Sequence, residues 1–362
     1  MAAYLEDALA APTGFRLKVI EAARLTNRRN AIVLTMAAGK PGLVHPEGYE
    51  LEITRKGVRI QAASEAGLFY GVRTLLGLLP PEIESPERQP AGWILPCVKI
   101  VDYPRFAWRG LLLDVSRHFF SKEFLKKYID QMAKYKFNVL QLHLTDDQGW
   151  RIEIKSLPRL TGIGAWRVPR LGLWWNRDAP RDGEAATAGG FYTQEDMREI
   201  IAYAKQRSVT VIPEIEVPGH SLAALAAYPE LSCTGGPFRV NPGSKFYGEE
   251  DNALCPGNEK TFEFMDRVFS EVAALFPSSY VHVGGDECFK GFWKKCPKCQ
   301  RRMAEEHLKD ENELQSYLIR RAERILADKG KRLIGWDEIL EGGLAPNAAV
   351  MSWRGMKGGI AA

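Results

Sequence analysis

From about residue 98 onward the chain repeats one unit: a short apolar run, a polar cluster at its end, then an amphipathic stretch at helical spacing. That alternation admits few folds, because parallel strands need crossover helices and the resulting sheet is buried on both faces. Strands are expected from Gly110 to Val115, Asn138 to Leu144, Val209 to Ile215, Tyr280 to Val283, Arg332 to Trp336 and Ala349 to Trp353. Helices are expected between them. They run from Ser121 to Tyr135, from Thr193 to Gln206 behind a Thr193-x-x-Asp196 capping pattern, from Thr261 to Phe276 before Pro277, and from Glu311 to Lys329 before Gly330.

The polar residues decide between an open doubly wound sheet and a barrel. An open sheet binds at one switch point, whereas a (β/α)8 barrel collects chemistry at the C-terminal ends of many strands. Here every candidate strand ends in such residues: Asp114, Arg117 and His118; His143, Asp146 and Asp147; Glu214, Glu216 and His220; Asp286 and Glu287; Trp336, Asp337 and Glu338; Trp353 and Arg354. Arg109 precedes the first strand. We therefore expect an α/β, TIM-type (β/α)8 barrel over residues 98–362, with about six βα units present and the C-terminal end incomplete. Residues 1–97 read as a small α+β support domain. It has a helix near Tyr4 to Ala11, a hairpin from Gly48 to Thr54 and Val58 to Ala62, and a helix from Ser64 to Leu79 with Leu68, Phe69, Val72, Leu75 and Leu76 on one face.

The net charge of +4 and the short basic run from Lys294 to Arg302 give no nucleic-acid footprint. No stretch reaches the roughly 20 apolar residues of a membrane span, and no export signal opens the chain. Six cysteines in 362 residues make no disulfide scaffold. Cys296-Pro-Lys-Cys299 has zinc-knuckle spacing without a second such pair, so no four-ligand site is expected. Cys233 and Cys255 are the pair that could bridge in an exported protein.

The chemistry centres on Tyr280-Val281-His282-Val283-Gly284-Gly285-Asp286-Glu287, where two adjacent carboxylates leave a buried strand through a double glycine. Neighbouring side chains on an extended strand point to opposite faces, so the two acids should meet different environments. With Trp336 and Trp353 as flat apolar walls, such a site suits a sugar. Ordinary glycoside hydrolysis uses two carboxyl groups on opposite sides of the bond, about 5 Å apart or more, and adjacent residues fit that poorly. They do fit the scheme in which a substrate acetamido oxygen is the nucleophile.

These residues resemble the family 20 glycoside hydrolases, the β-N-acetylhexosaminidases. The resemblance rests on Arg109-Gly110 with Asp114-Val115-Ser116-Arg117-His118, His143-Leu144-Thr145-Asp146-Asp147-Gln148-Gly149-Trp150-Arg151, Glu214-Ile215-Glu216-Val217-Pro218-Gly219-His220 and His282 to Glu287. It implies an exo-acting, retaining hydrolase of terminal N-acetyl-β-D-hexosamine, acting on an oligosaccharide or glycoconjugate with no metal or other cofactor. Glu287 would be the acid and base, with a raised pKa, and Asp286 would hold the acetamido group. Arg109 would clamp distal hydroxyls, with Asp146 and His220 supporting, Trp336 and Trp353 as walls, and His143, Glu216 and Asp337 behind them. It also implies a periplasmic or secreted location, two further barrel strands after this chain, a support-domain strand before it, and room for homo-oligomers. The competing readings are a metal-dependent barrel enzyme, with ligands among His143, Asp146, Asp147, Glu214, Glu216, His220 and Asp286, and a non-catalytic sugar-binding homologue.

Overall fold

The first sheet grows from a tight hairpin. Strands β2 (Tyr49–Thr54) and β3 (Gly57–Ala62) pair antiparallel around Arg55-Lys56, and β1 (Ala31–Met36) joins β3 in parallel. Strand β4 (Val98–Asp102) pairs antiparallel with β2, giving the order β1-β3-β2-β4. Tyr49, Leu51, Ile60 and Ala62 are buried against Phe69, Val72, Leu75 and Leu76 of helix α2 (Glu65–Gly77). The Ser64 side chain accepts from the Gly67 N–H at 3.1 Å and caps that helix. Helix α1 (Ala2–Thr13) adds Leu5 to this core. The computed structural model describes residues 1–21, 24, 29–37, 39 and 43–362.

Strands β1 and β4 are additions to the expected plan. Both are short and only half-buried, and β4 alternates exposed Lys99 and Val101 with half-buried Val98 and Ile100. The first sheet thus reaches past residue 97, to Asp102. Strand β1 occupies the parallel edge beside β3.

The second sheet has six strands in sequential order: β5 (Gly110–Asp114), β6 (Val139–His143), β7 (Thr210–Glu214), β8 (Tyr280–His282), β9 (Arg332–Trp336) and β10 (Ala349–Met351). The pairs from β6 to β10 are all parallel. Helices α3 (Lys122–Lys134), α4 (Gln194–Lys205), α5 (Glu259–Leu275) and α6 (Glu311–Ala327) follow β5, β6, β7 and β8. This is the (β/α) barrel pattern, with β5 and β10 at the two ends of the strand order. Expected boundaries hold within two residues. Helix α5, however, is capped by the Asn258 side chain, and Thr261 is buried with its hydroxyl donating to the Cys255 carbonyl.

Two compact units result: Met1–Gly110 with Lys127–Asn138 and Tyr203–Val209, and Leu111–Lys126 with Val139–Ala202 and Thr210–Ala362. Among the described residues no helix is long and apolar enough to cross a membrane. The cysteines depart from expectation. Cys233 and Cys255 are free thiols, and together with Cys296 and Cys299 they place all four Sγ atoms within 4.8 Å of one another. Two long βα connections, not one motif, bring them together.

Candidate active site

Four successive strands deliver the site residues at their C-terminal ends: β6 stops at His143, β7 at Glu214, β8 at His282 and β9 at Trp336. The side chains form an alternating chain of carboxylate and imidazole. Trp336 Nε1 donates to Glu214 Oε1 at 2.9 Å, and Glu214 Oε2 faces His143 Nδ1 at 3.0 Å. His143 Nε2 lies 3.0 Å from Asp146 Oδ2, and Asp146 Oδ1 lies 3.1 Å from His220 Nδ1. His220 Nε2 ends the chain, 3.5 Å from Asp286 Oδ2 and 3.6 Å from Glu287 Oε2.

Burial opposes a charge on either imidazole, yet both rings titrate well above the ordinary histidine range, His143 because of Glu214 and Asp146, His220 because of Asp146. Burial likewise opposes ionisation of Asp146 and Glu214. His220 and Arg117 outweigh it at Asp146, and His143 and His282 outweigh it at Glu214, so both carboxyls are held well below the usual range. Each imidazole faces carboxylates through both ring nitrogens, so the site is an alternating chain of opposite charges.

The turn carrying Asp146 is fixed by a buried cation. Arg151 donates to the carbonyls of Ser116 at 2.7 Å and Ala165 at 2.6 Å, and also to those of Val115, Gln148 and Gly190. Burial pushes its pKa down to about 10. Asp147, beside Asp146, accepts from the Leu222 N–H and from Asn252.

After β8, Gly284 and Gly285 both have positive φ, 65° and 93°, and turn the chain so that Asp286 and Glu287 diverge. A Cβ on Gly284 would lie 1.7 Å from Glu216 Oε2, so that carboxylate rests directly over the glycine. The side chain of Asp286 is 16% exposed and that of Glu287 is 53%, the difference in environment that adjacency on a strand end predicts. Glu287 itself has φ 46°, and its carbonyl accepts from the Tyr247 hydroxyl. Contrary to expectation, its carboxyl is held below the ordinary glutamate range, because the His220 imidazole facing it at 3.6 Å outweighs burial. Glu216 moves the other way. Burial first, then Asp286 and Glu214, push it well up; among the described residues neither carboxylate oxygen has a hydrogen-bond partner, and His143 Nδ1 stands 3.9 Å from Oε1.

Arg109 requires a correction. Its guanidinium bonds Glu47 Oε2 at 2.7 Å and the carbonyls of Phe106 and Lys136, both at 2.8 Å, so it is engaged in securing the first unit. The cation within the carboxylate chain is Arg117, 2.7 Å from Asp146 Oδ2 and 3.1 Å from Asp114 Oδ2. Its signal was in the sequence: Arg117 follows its strand, at the end where barrels collect chemistry, whereas Arg109 precedes it.

A cavity of about 390 Å³ opens beside Glu287 and His220, walled by Arg117, Trp174, Trp175, Phe246 and Tyr247. Trp174 and Trp175 lie in a loop whose sequence carries no periodic signal. Trp336 packs edge-on to His282 at 4.7 Å. Trp353, 51% exposed, donates from its indole to Glu338 Oε2 at 3.0 Å, and Asp337 accepts from the Trp353 N–H and from Arg354.

Comparison with known proteins identifies the family. Residues 106–362 match the glycosyl hydrolase family 20 catalytic domain, and residues 1–103 match that family's domain 2. A beta-hexosaminidase of Porphyromonas gingivalis is 50% identical over 92% of this chain and 40% of its own length, and one of Vibrio furnissii is 44% identical over 84% and 48%. Among solved structures, the GH20 beta-N-acetylhexosaminidase of Streptomyces coelicolor superposes with TM-score 0.79 at 38% identity, over 97% of this chain and 62% of that one. The exo beta-N-acetylglucosaminidase of Vibrio harveyi, solved with N-acetylglucosamine, gives 0.81 at 36%, over 99% and 53%. The chain spans about half the length of the curated relatives it matches. With both family regions matched in order, the chain belongs to glycosyl hydrolase family 20.

Proposed function

We propose that this chain carries the acid and acetamido-holding residues of an exo-acting β-N-acetylhexosaminidase. It would release terminal N-acetyl-β-D-hexosamine from oligosaccharides or glycoconjugates with retention of configuration. The observation that carries the reading is the adjacent pair Asp286 and Glu287, both facing the one imidazole of His220. Two neighbouring carboxyls on one strand end cannot flank a glycosidic bond, but they can serve a substrate that brings its own nucleophile.

In this scheme the acetamido oxygen attacks the anomeric carbon, and the bond to the leaving oxygen breaks as Glu287 gives it a proton. Asp286 accepts the acetamido N–H and stabilises the positive charge that develops on the oxazolinium-like ring. Water then opens that ring, with Glu287 as base. In the free protein the His220 cation favours ionised Glu287. A sugar lying over the half-exposed carboxyl strips its water and raises its pKa toward the working range of an acid. Arg117 takes the hydroxyl-clamping role first given to Arg109, with Asp146 and His143 holding His220 in place. Trp336, Trp353 and Asp337 stay assigned to the sugar side, and Glu216 to the support of Asp286.

Nitrophenol release from the aryl β-N-acetylglucosaminide and from the matching β-glucoside tests the reading. The acetamido sugar is expected to turn over and the glucoside is not. Equal turnover of both would overturn the substrate-assisted scheme.

A further inference from the structure

Outside the carboxylate chain, one cluster of reactive side chains has no part in this chemistry. Cys233 and Cys255 lie in the connection after β7, and Cys296 and Cys299 in the connection after β8. Cys255 Sγ is 3.5 Å from Cys299 Sγ and 3.8 Å from Cys296 Sγ, and Cys233 Sγ is 3.6 Å from Cys299 Sγ. Sulfurs bonded to one tetrahedral zinc at about 2.3 Å stand about 3.8 Å apart, whereas a disulfide brings two to about 2.05 Å. The four thiols have the spacing of the first arrangement.

The backbone maintains this spacing. A Cβ on Gly257 would lie 2.2 Å from the Lys298 carbonyl carbon, so only glycine lets the Cys255-Pro256-Gly257 turn rest on the Cys296 to Cys299 turn. The Cys255 N–H bonds the Leu231 carbonyl at 2.8 Å, and Asp251 Oδ2 accepts the Cys233 N–H at 2.9 Å. Cys255, Cys296 and Cys299 are buried among Ala253, Trp293 and Leu314, with Met303 and Leu308 alongside.

We propose that Cys233, Cys255, Cys296 and Cys299 bind one structural zinc ion. Four S–H protons leave to solvent as four Zn–S bonds form, leaving a double negative charge in a stretch whose sequence carries Lys294, Lys295 and Lys298 around two of the ligands. Four protein ligands close the coordination sphere, so the ion ties loops together and does no chemistry. It fastens the connection that carries His220, Tyr247 and Asn252 to the one that follows Glu287, so both loops beside the proposed acid share one anchor.

The test is metal content and thiol state, independent of any hydrolase activity. Protein purified without chelator is expected to contain about one zinc per chain, released when a mercurial titrates the thiols. After the metal is stripped under reducing conditions, cobalt(II) alone should restore the visible bands of a tetrahedral thiolate site. Cys299→Ser should abolish both zinc and cobalt spectra, while Cys97→Ser should change neither. Zinc-free folded protein, a mass showing disulfides among the four, or octahedral cobalt spectra in the reduced wild type would each overturn the proposal, whether or not Cys299→Ser folds.

Discussion

The two sheets handle charge in opposite ways. In the four-stranded sheet, alternation sends charged side chains outward, where they pair across strands. Arg59 lies 2.6 Å from Glu52, a contact of half-exposed groups that contributes about 1 kcal/mol or less. In the six-stranded sheet β6 is buried throughout, and Gln141, His143, Glu214 and His282 point inside. Charges so placed persist only when each has a partner. They form one linked chain, at the strand ends where substrate would meet them. The lesson is that the position of a charge along a strand carries more functional information than its presence.

The largest effect should come from the exposed end of that chain. Glu287→Gln is expected to lower turnover of an aryl β-N-acetylglucosaminide by about 10²–10⁴-fold with little change in Tm. Unchanged turnover would remove Glu287 as the acid. Asp286→Asn should lower kcat by about 10²–10³-fold on the same substrate, because the developing positive charge loses its counter-charge. A loss confined to KM would contradict that role.

The two arginines give the sharpest comparison. Arg117→Met should reduce kcat/KM by about tenfold or more, since Asp146 is left buried beside one cation fewer. Arg109→Met should instead lower stability by about 1–3 kcal/mol by denaturant unfolding, because Glu47 loses its partner. The reverse pattern would restore the original assignment of Arg109.

The smallest effect is a pH dependence. The pKa of Glu216 is raised on folding, so its contribution to stability is fully present below the ordinary glutamate range and is lost as pH rises toward the raised folded value. Glu216→Gln should therefore match the wild type in Tm near pH 4 and exceed it by a growing margin toward pH 8. A constant difference across that range would show that the carboxyl's titration is not the cause.

Much of this was legible in the sequence, and the failures have physical reasons. The barrel strands are apolar because they are buried on both faces, so runs such as Val139–His143 stand out without an alignment. Strands β1 and β4 are short and half-exposed, and half-exposed alternation is weak over five or six residues. The adjacency of Asp286 and Glu287 predicted their unequal exposure, but not the direction in which His220 shifts Glu287, which depends on a side chain from another strand. Arg109 and Arg117 flank the same strand, and only the direction of a parallel barrel tells them apart. The cysteine cluster was hidden by distance, since its members reside in two connections that only the fold makes neighbours.

The contact between Gly284 and Glu216 reaches beyond mechanism into inheritance. Any side chain at 284 collides with the glutamate, and a shorter residue at 216 leaves a hole over the glycine. Position 284 cannot gain a side chain alone, and position 216 accepts only a residue of similar length. Shortening position 216 removes the collision met by Gly284→Ala but leaves the backbone strain of φ 65°, so the double change should regain only part of what Gly284→Ala loses.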